Sequence, residues 1–140
     1  MAVAPLPNVR RVLEYGLTEI PADKIFLGIP NYGYDWPLPY ERDVTRATTL
    51  GNTVAVRLAI ETGSEILFDE VAQSPYFYYT DSSGVAHVVW FEDVRSLKPK
   101  YELVAENDLR GCGYWNVMRP FPQNYLLLSN MFRIAKNDVR

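Results

Sequence analysis

The sequence predicts an α/β fold that carries an α+β insertion. Two short apolar segments, residues 25–30 and 112–115, are predicted to be strands of a parallel sheet, because continuous rather than alternating hydrophobicity suits strands covered on both faces. Helical patterns flank both segments, and an aromatic-rich hairpin lies between them. With 140 residues, 48% of them hydrophobic and 22% charged, the chain can bury the core of one ordinary domain.

The first predicted element is a helix over residues 8–17. Asn8 is a suitable N-cap, and apolar residues recur at helical spacing on one face, namely Val9, Val12, Leu13, Gly16 and Leu17. We expect the helix to end before Pro21, because proline has no amide hydrogen to continue the ladder and restricts the residue before it. The first strand then follows.

Residues 31–50 are predicted to form a loop at the carboxyl end of that strand, since a glycine and two prolines fall among the first nine of them. A second helix is predicted over residues 53–62, capped by Asn52 and closed by Gly63. Residues 66–68 are predicted to be a short strand.

Aromatic and β-branched runs at residues 75–79 and 85–91 flank a turn-forming cluster and predict a hairpin. Asp93 is predicted to cap a third helix that reaches residue 106. Pro99 lies inside this span, so the helix is expected either to begin after it or to bend there. A last helix is predicted from Pro122 to Ala135, with a buried side made of Leu126, Leu127, Met131 and Phe132.

Composition narrows the classes of function. Lys plus Arg number 14 and Asp plus Glu 17, for a net charge of −3, and without a basic excess we expect no nucleic-acid binding. With one cysteine, Cys112, and one histidine, His87, neither an internal disulfide nor an ordinary metal centre is expected, and no cofactor is implied. No apolar run approaches the ~20 residues of a membrane span, and residues 1–7 are too short and proline-rich for a signal peptide's apolar region.

Several segments resemble parts of glycoside hydrolase family 18, and they occur in that family's order. Similarity to its seventh barrel strand is found at residues 24–36, KIFLGIPNYGYDW, and to its eighth strand at residues 109–115, LRGCGYW. Residues 40–108 resemble the chitinase insertion domain, whose closing segment matches WFEDVRS at residues 90–96.

A further segment, RPFPQN at residues 119–124, is similar to the LysM-associated bacterial branch of the family, whose members cleave peptidoglycan in spore cortex and spore coat. The similarity extends over residues 5–134. It implies an extracellular, cell-wall or spore-envelope location, and a carbohydrate polymer, peptidoglycan or chitin, as the partner.

The resemblance implies a fold made of the last two strands and flanking helices of a TIM (β/α)8 barrel, with an α+β chitinase insertion domain between them. It divides the chain into a barrel helix, seventh strand and following loop (1–39), the insertion domain (40–108), and the eighth strand with the terminal helix (109–140). A whole barrel needs about 250 residues. We therefore expect open strand edges, which predict self-association or docking of the missing N-terminal half of the barrel.

The family's catalytic signature, Asp-x-x-Asp-x-Asp-x-Glu, occurs nowhere in these 140 residues. In the family its glutamate is the general acid, and the acetamido oxygen of the substrate is the nucleophile of a retaining mechanism. We assign no catalytic residue and expect the isolated chain to be inactive. Two alternatives remain beside the partial hydrolase: a module that binds amino sugars without chemistry, and a self-associating structural fragment.

Six residues are candidates for binding the polymer: Asn31, Tyr34, Trp36, Trp90, Glu92 and Trp115. Trp115 ends a predicted barrel strand, where such barrels display their active sites, and the resemblance implies that it floors the pocket for the N-acetylated sugar. The alternative is a tryptophan that fills the core.

Asn31, Tyr34 and Trp36 follow the other strand end, and their amide, phenol and indole groups suit a neutral polyhydroxylated ligand. The alternative is aromatic packing of the insertion onto the barrel. That role is assigned to Tyr32, and Trp36 stays open between the two.

Trp90 and Glu92, two residues apart, would share one face of a strand and line a groove. Carboxylates are also common just before a helix, a role assigned to Asp93, while Glu92 stays open. No catalytic role is assigned to the adjacent acids at residues 69–70, because neighbours on a strand face opposite ways. His87 is predicted to be a surface or cross-strand residue. For Arg119 the sequence does not decide between a ligand contact and a bond to a carboxylate.

Overall fold

Two β-sheets organise the part of the chain that the structure, a computed structural model, describes, residues 1–134. The helices in chain order are α1 (Leu6–Glu19), a short 3₁₀ helix (Ala22–Lys24), α2 (Asn52–Thr62), α3 (Val94–Glu106) and α4 (Pro122–Met131). The strands are β1 (Phe26–Pro30), β2 (Tyr32–Pro37), β3 (Thr48–Gly51), β4 (Leu67–Asp69), β5 (Ser74–Thr80), β6 (Ala86–Trp90) and β7 (Gly111–Trp115). None of the helices within residues 1–134 is long and apolar enough to cross a bilayer.

The first sheet pairs β1 with β7 in parallel, in a register that sets Phe26 opposite Gly111 and Pro30 opposite Trp115. The predicted parallel pairing of the two apolar segments is therefore confirmed. One face of this pair carries Leu27, Ile29, Cys112 and Tyr114 and packs against α1, α3 and α4. The opposite face, with Phe26 and Trp115, is open: these two side chains are 63% and 73% exposed.

The predicted burial of this sheet on both faces is thus wrong for the described residues. Within residues 1–134 the helices cover one face only, so Phe26 of β1 and Trp115 of β7 remain in solvent on the other. Glycine residues form the middle of the open face, where Gly28 lies opposite Gly113.

The second sheet has five antiparallel strands in the order β3-β2-β6-β5-β4. Helix α2 covers one of its faces, and Ala55 and Ala59 pack there against the sheet residues Leu50, Phe77 and Val89. The predicted hairpin is confirmed as β5 and β6, in a register that sets Phe77 opposite Val89.

The prediction of a loop over residues 31–50 is wrong, because this stretch holds β2 and β3. Alternation along Tyr32–Pro37 is the signal of a strand: the aromatic residues point one way, and Gly33 and Asp35 point the other. Gly33 lies against β6, where an added Cβ would come within 2.4 Å of the Trp90 carbonyl oxygen. The proposed division of the chain after residue 39 remains a prediction, and the five-stranded sheet draws one strand from before that position.

Helix α3 confirms the predicted cap. The Asp93 carboxylate accepts the backbone N–H groups of Arg95 and Ser96 at 2.8 and 3.2 Å, and the Ser96 hydroxyl accepts the backbone N–H of Asp93. The helix begins at Val94, ahead of Pro99, and includes that proline.

The ends of the other helices differ from the prediction. Helix α1 begins at Leu6 rather than after Asn8, since Pro7 suits a first turn that lacks amide partners. The N-cap of α2 is Gly51, because the Asn52 side chain is engaged elsewhere. Helix α4 ends at Met131, and Ala135 lies outside the described residues.

The buried side of α4 is also shifted, since Leu126 is 65% exposed. The buried face is centred on Asn124, which is fully enclosed and bonded to Tyr101. A residue two positions along a helix points about 200° away, whereas Leu127, Leu128 and Met131 return to the Asn124 side and pack in the core.

Candidate functional site

Trp115 stands at the carboxyl end of β7, on the open face of the parallel sheet. Its indole is 73% exposed, and its peptide bond to Asn116 is cis. A concave region of about 240 Å³ lies against it, lined also by Val3, Ala4, Gly28, Ile29, Pro30 and Tyr32. The side chain is therefore part of a concave surface and does not fill the core of the described residues.

A second surface, the aromatic face, lies on the side of the five-stranded sheet away from α2. Its six residues are Tyr32, Tyr34, Trp36, Tyr76, Tyr78 and Trp90. Because side chains directly opposite each other in paired strands lie on the same face, the register places Tyr34, Trp90 and Tyr76 in one row across β2, β6 and β5. We call this the aromatic row.

The rings of the aromatic face are held by one another. Trp90 stacks on Tyr76 with ring centroids 4.6 Å apart and planes inclined by 19°. Along β2, the ring of Tyr34 contacts those of Tyr32 and Trp36 at 5.6 and 5.8 Å. Such contacts fix the orientation of rings that are only partly buried. The result is a preorganised, partly exposed apolar shelf.

Trp36 has an unusual environment within this face. Its ring lies between those of Tyr34 and Tyr40, the latter at 5.6 Å. Its indole Nε1 is buried and has no hydrogen-bond partner among residues 1–134. A buried N–H group without an acceptor is costly, and it marks a position where a ligand oxygen would be favourable.

Glu92 does not lie on the aromatic face, because its side chain is fully enclosed. Its Oε2 accepts hydrogen bonds from Lys100 Nζ at 2.8 Å and from the Ser96 hydroxyl at 2.6 Å. Its backbone N–H donates to Asn52 Oδ1 at 3.0 Å. Burial raises the pKa of the Glu92 carboxyl, and the ammonium group of Lys100 opposes that shift. These bonds connect the end of β6 with α2 and α3.

Asn31 is also fully enclosed, between the ends of β1 and β7. Its backbone N–H donates to the Trp115 carbonyl oxygen at 2.9 Å, and its Oδ1 accepts a weak bond of 3.4 Å from Asn124. The Asn124 Oδ1 in turn accepts a hydrogen bond from the Tyr101 hydroxyl, whose oxygen lies 2.8 Å from the Tyr114 hydroxyl. This buried network joins the residue after β1 to the end of β7 and holds Trp115 and Tyr32 next to each other.

His87 lies in β6, the central strand of the five-stranded sheet, on the face that packs against α2. It is a cross-strand residue, opposite Tyr79 in β5, with its ring stacked on that tyrosine at 4.8 Å. Its Nδ1 lies 2.7 Å from the Asp35 carboxylate, which also accepts a hydrogen bond from the Tyr79 hydroxyl. Burial and the bonded carboxylate raise the pKa of Tyr79. His87 therefore has a structural environment, as predicted.

Sequence reasoning missed Tyr76 and Tyr78 as members of the aromatic face. Both occupy alternate positions of β5 on the same side of the sheet as Trp90, and Tyr76 lies directly opposite Trp90. The period-two spacing of the aromatics was visible in the sequence, but the pairing that sets them against Trp90 was not. No group of three or more His, Cys, Asp or Glu side chains within the described range is arranged to hold a metal ion.

The sequence model for "Glycosyl hydrolases family 18" matches residues 2–119. The chain belongs to glycosyl hydrolase family 18. This match covers both strands of the parallel sheet, the whole five-stranded sheet and α3, so the family assignment includes the two surfaces described above.

Curated relatives include enzymes of two Bacillus species. The chain is 46% identical over 139 residues to the cortical fragment-lytic enzyme of Bacillus subtilis (strain 168), an alignment that covers 99% of this chain and 32% of that protein. Identity to the enzyme of the same name from Bacillus cereus is 41% over 136 residues, covering 97% and 32% of the two chains.

Solved structures show the same relationship. The spore cortex-lytic enzyme SleL of Bacillus megaterium QM B1551 superposes with a TM-score of 0.92 at 44% identity, covering 98% of this chain and 32% of the other. A chitinase from Chromobacterium violaceum ATCC 12472 superposes with a TM-score of 0.83 at 27% identity, over 92% of this chain and 39% of the other. The fold is thus an α/β fold of the chitinase-like kind. The chain spans about a third of the length of these relatives.

Proposed function

We propose that this chain forms the last two strands and the insertion domain of a family 18 glycosidase barrel, and that it supplies a substrate-binding wall for β-1,4-linked N-acetylglucosamine polymers. The observation that carries the proposal is the open face of the parallel pair, with Trp115 exposed at its carboxyl end. A barrel displays its active site at that end of its strands. The relatives, named for lysis of spore cortex, support peptidoglycan as the polymer and chitin as the alternative.

The wall would act through stacking. An indole face removes the C–H groups of a sugar ring from water and leaves the equatorial hydroxyls free to bond, which favours pyranose rings over other neutral solutes. Trp115 would hold the sugar at the bond that is cleaved. Tyr34, Trp36 and Trp90 would line the cleft beyond it, on rings that neighbouring aromatics already orient.

Asn31 and Glu92 enter the proposal differently from the four aromatic residues. Both side chains are enclosed and bonded to other parts of the chain, so their direct contact with a sugar stays a prediction that burial argues against. We propose that they position the wall, Asn31 beside Trp115 and Glu92 behind β6.

The chemistry itself would be the family's substrate-assisted, retaining hydrolysis. Because the acidic signature is absent from these 140 residues, the proton donor and the partner of the acetamido group would come from the rest of the barrel. We therefore expect cleavage only when those strands are supplied, covalently or as a second chain.

The test is reconstitution. The purified chain is mixed with a chain carrying the preceding barrel strands of a relative, and release of products from peptidoglycan and from chitin oligomers is measured. We expect activity from the mixture and none from either chain alone. Trp115→Ala should abolish it, whereas Ile60→Ala, which removes an exposed side chain from α2, should leave it intact. A folded, stable complex without activity would contradict the proposal.

Binding without catalysis is the second candidate, favoured by the absent acidic signature together with the exposed Trp115 and the aromatic face. It is tested by titrating the isolated chain with N-acetylglucosamine oligomers while following tryptophan fluorescence. We expect binding no tighter than about millimolar, since half of the cleft is missing. An unchanged spectrum at 10 mM ligand, with Trp115→Ala as the reference, would end this idea.

A further inference from the structure

Arg119 follows β7 and packs over β3. Its aliphatic stem covers Gly51, where an added Cβ would lie 3.5 Å from the Arg119 Cβ and 3.7 Å from its Cγ and Cδ. Its Nη2 donates a hydrogen bond of 3.1 Å to the Thr49 hydroxyl. The guanidinium is therefore held in a defined place by a glycine and a threonine of one strand.

That place is the end of the aromatic row. Thr49 lies directly opposite Tyr34, and Gly51 lies opposite Tyr32, so Arg119 sits on the same side of the sheet as the aromatic face. Extending the aromatic row by one strand leads from Tyr76 through Trp90 and Tyr34 to Thr49 and the guanidinium. At the usual spacing between strands, this row is about 14 Å long.

Most N–H donors of the Arg119 guanidinium have no hydrogen-bond partner among residues 1–134. An arginine side chain carries five N–H donors and is always ionised, and one hydrogen bond from the Arg119 side chain is found. Within residues 1–134, no carboxylate lies within 4.0 Å of it, whereas Arg95 is paired with Asp93 at 2.7 Å. A concave region of about 460 Å³ adjoins it, lined by Thr49, Gly51, Thr53, Met118 and Pro120 among others.

We propose that Arg119 binds a carboxylate of the glycan that lies along the aromatic row, and so selects muramic-acid-containing chains over uncharged polymers of N-acetylglucosamine. The inference rests on the proposed function. Aromatic rings recognise a pyranose whatever its substituents, but a guanidinium favours a carboxylate, which it binds through two parallel N–H···O bonds. Peptidoglycan carries such groups on the lactyl ether of muramic acid or on the attached peptide, and chitin carries none.

The experiment compares three tetrasaccharide probes: chitotetraose, a peptide-free probe of alternating N-acetylglucosamine and N-acetylmuramic acid, and the same glycan with its lactyl carboxyls joined to a short acidic peptide. Affinities are measured by fluorescence titration for the native chain and for Arg119→Gln. We expect the substitution to weaken binding of a carboxylate-bearing probe about tenfold, as loss of a charge-assisted bond does, and to leave chitotetraose unchanged. Loss with the peptide-free probe assigns the lactyl carboxylate, and loss confined to the peptide-bearing probe assigns the peptide.

Two further variants keep the result interpretable. Arg57→Gln removes the same charge from α2, on the other side of the sheet, and should change no affinity. Arg119→Lys keeps the charge without the fork of donors and should lose part of the selectivity, which tests the site even if Arg119→Gln melts early. Equal loss for all three probes, or the same loss from Arg57→Gln, would overturn the inference. Binding of no probe at all would overturn the inference and the candidate of binding without catalysis, whereas the partial hydrolase is overturned only by an inactive reconstituted complex.

Discussion

Glu92 and Lys100 form an ion pair sealed from water, with side-chain exposures of 0% and 1%. Removing one partner of a buried pair leaves an uncompensated charge and costs about 3–5 kcal/mol of unfolding free energy. We expect this cost for Lys100→Met, measured by urea denaturation. Lys98 lies two residues before Lys100 on the same helix and forms an exposed pair with Glu102. Lys98→Met breaks this exposed pair and should cost less than about 1 kcal/mol.

The loss for Lys100→Met should also depend on pH. Burial raises the pKa of Glu92 above its ordinary value of 4.5, and removal of the ammonium group removes the main opposing influence. Between the ordinary pKa of 4.5 and the raised pKa, the Glu92 carboxyl is protonated in the folded variant and ionised in the unfolded chain. The stability of the variant therefore falls as pH rises through this range. We expect a greater loss at pH 8 than at pH 5. Restoration of most of the stability in the double variant Glu92→Leu/Lys100→Met would confirm the pairing, and an additive loss would contradict it.

The pKa of Asp81 is shifted in the opposite direction. Its carboxylate accepts the backbone N–H groups of Val85 and Ser83 at 2.8 and 2.9 Å in the hairpin turn, which lowers its pKa from the ordinary 3.8. Its contribution to stability is thus present above pH 3.8 and is lost as pH falls through the lowered value. We expect the melting temperature of the native chain to exceed that of Asp81→Asn at pH 6, and this difference to shrink below pH 4. A difference that is constant with pH would show that the charge is irrelevant.

At the scale of elements, β2 is fixed by the close approach of Gly33 to β6. Alanine at this position would bring its Cβ within 2.4 Å of the Trp90 carbonyl oxygen and 2.8 Å of the Phe91 Cβ. The Trp90 carbonyl belongs to the backbone and the Phe91 Cβ is bonded directly to it. Because neither atom can rotate away, we expect Gly33→Ala to cost about 1–3 kcal/mol. Fluorescence-detected unfolding in urea measures this cost.

The control for this substitution is Gly16→Ala in α1, where no atom lies within 4 Å of the added Cβ. Alanine there should stabilise the chain by about 0.5–1 kcal/mol, since it loses less backbone freedom in a helix than glycine does. If both substitutions shifted stability in the same direction, the contact between β2 and β6 would not be the cause.

Elements were predictable where a local rule governs them. The N-cap at Asp93 and the hairpin of β5 and β6 depend on neighbours a few residues apart, and both predictions are confirmed. The sequence does not predict strand β2, because its glycine and proline are also typical of loops. Gly33 is instead required by a neighbouring strand that lies more than fifty residues away in the chain, and no local pattern contains that information.

At the scale of the whole molecule, the chain leaves an apolar groove of about 500 Å³ between α1 and β1, lined by Val9, Val12, Ile25, Phe26 and Leu27 among others. Val12 and Phe26 are 69% and 63% exposed, and among residues 1–134 β1 pairs on one edge only. Exposed strand edges and apolar surface favour association. We expect the isolated chain to self-associate as its concentration rises, as measured by sedimentation velocity.

The double variant Val12→Lys/Phe26→Lys should weaken this association. Ile60→Lys, on the solvent side of α2, should not, although it removes a side chain that is 75% exposed. A monomer at every concentration tested would refute the prediction, and it would leave the role of the open face in a larger barrel to be tested by reconstitution.

The family and the parallel pairing of two apolar segments could be predicted from the sequence alone, because motifs and short-range hydrophobic patterns indicate them. Tertiary structure decided which of the candidates meet solvent. It enclosed Asn31 and Glu92 and exposed Trp115, and it assembled Tyr34, Trp90 and Tyr76 into one row. The reason is that exposure and cross-strand alignment depend on which distant segments pack together, and the spacing of residues along one strand gives only the side of the sheet each faces.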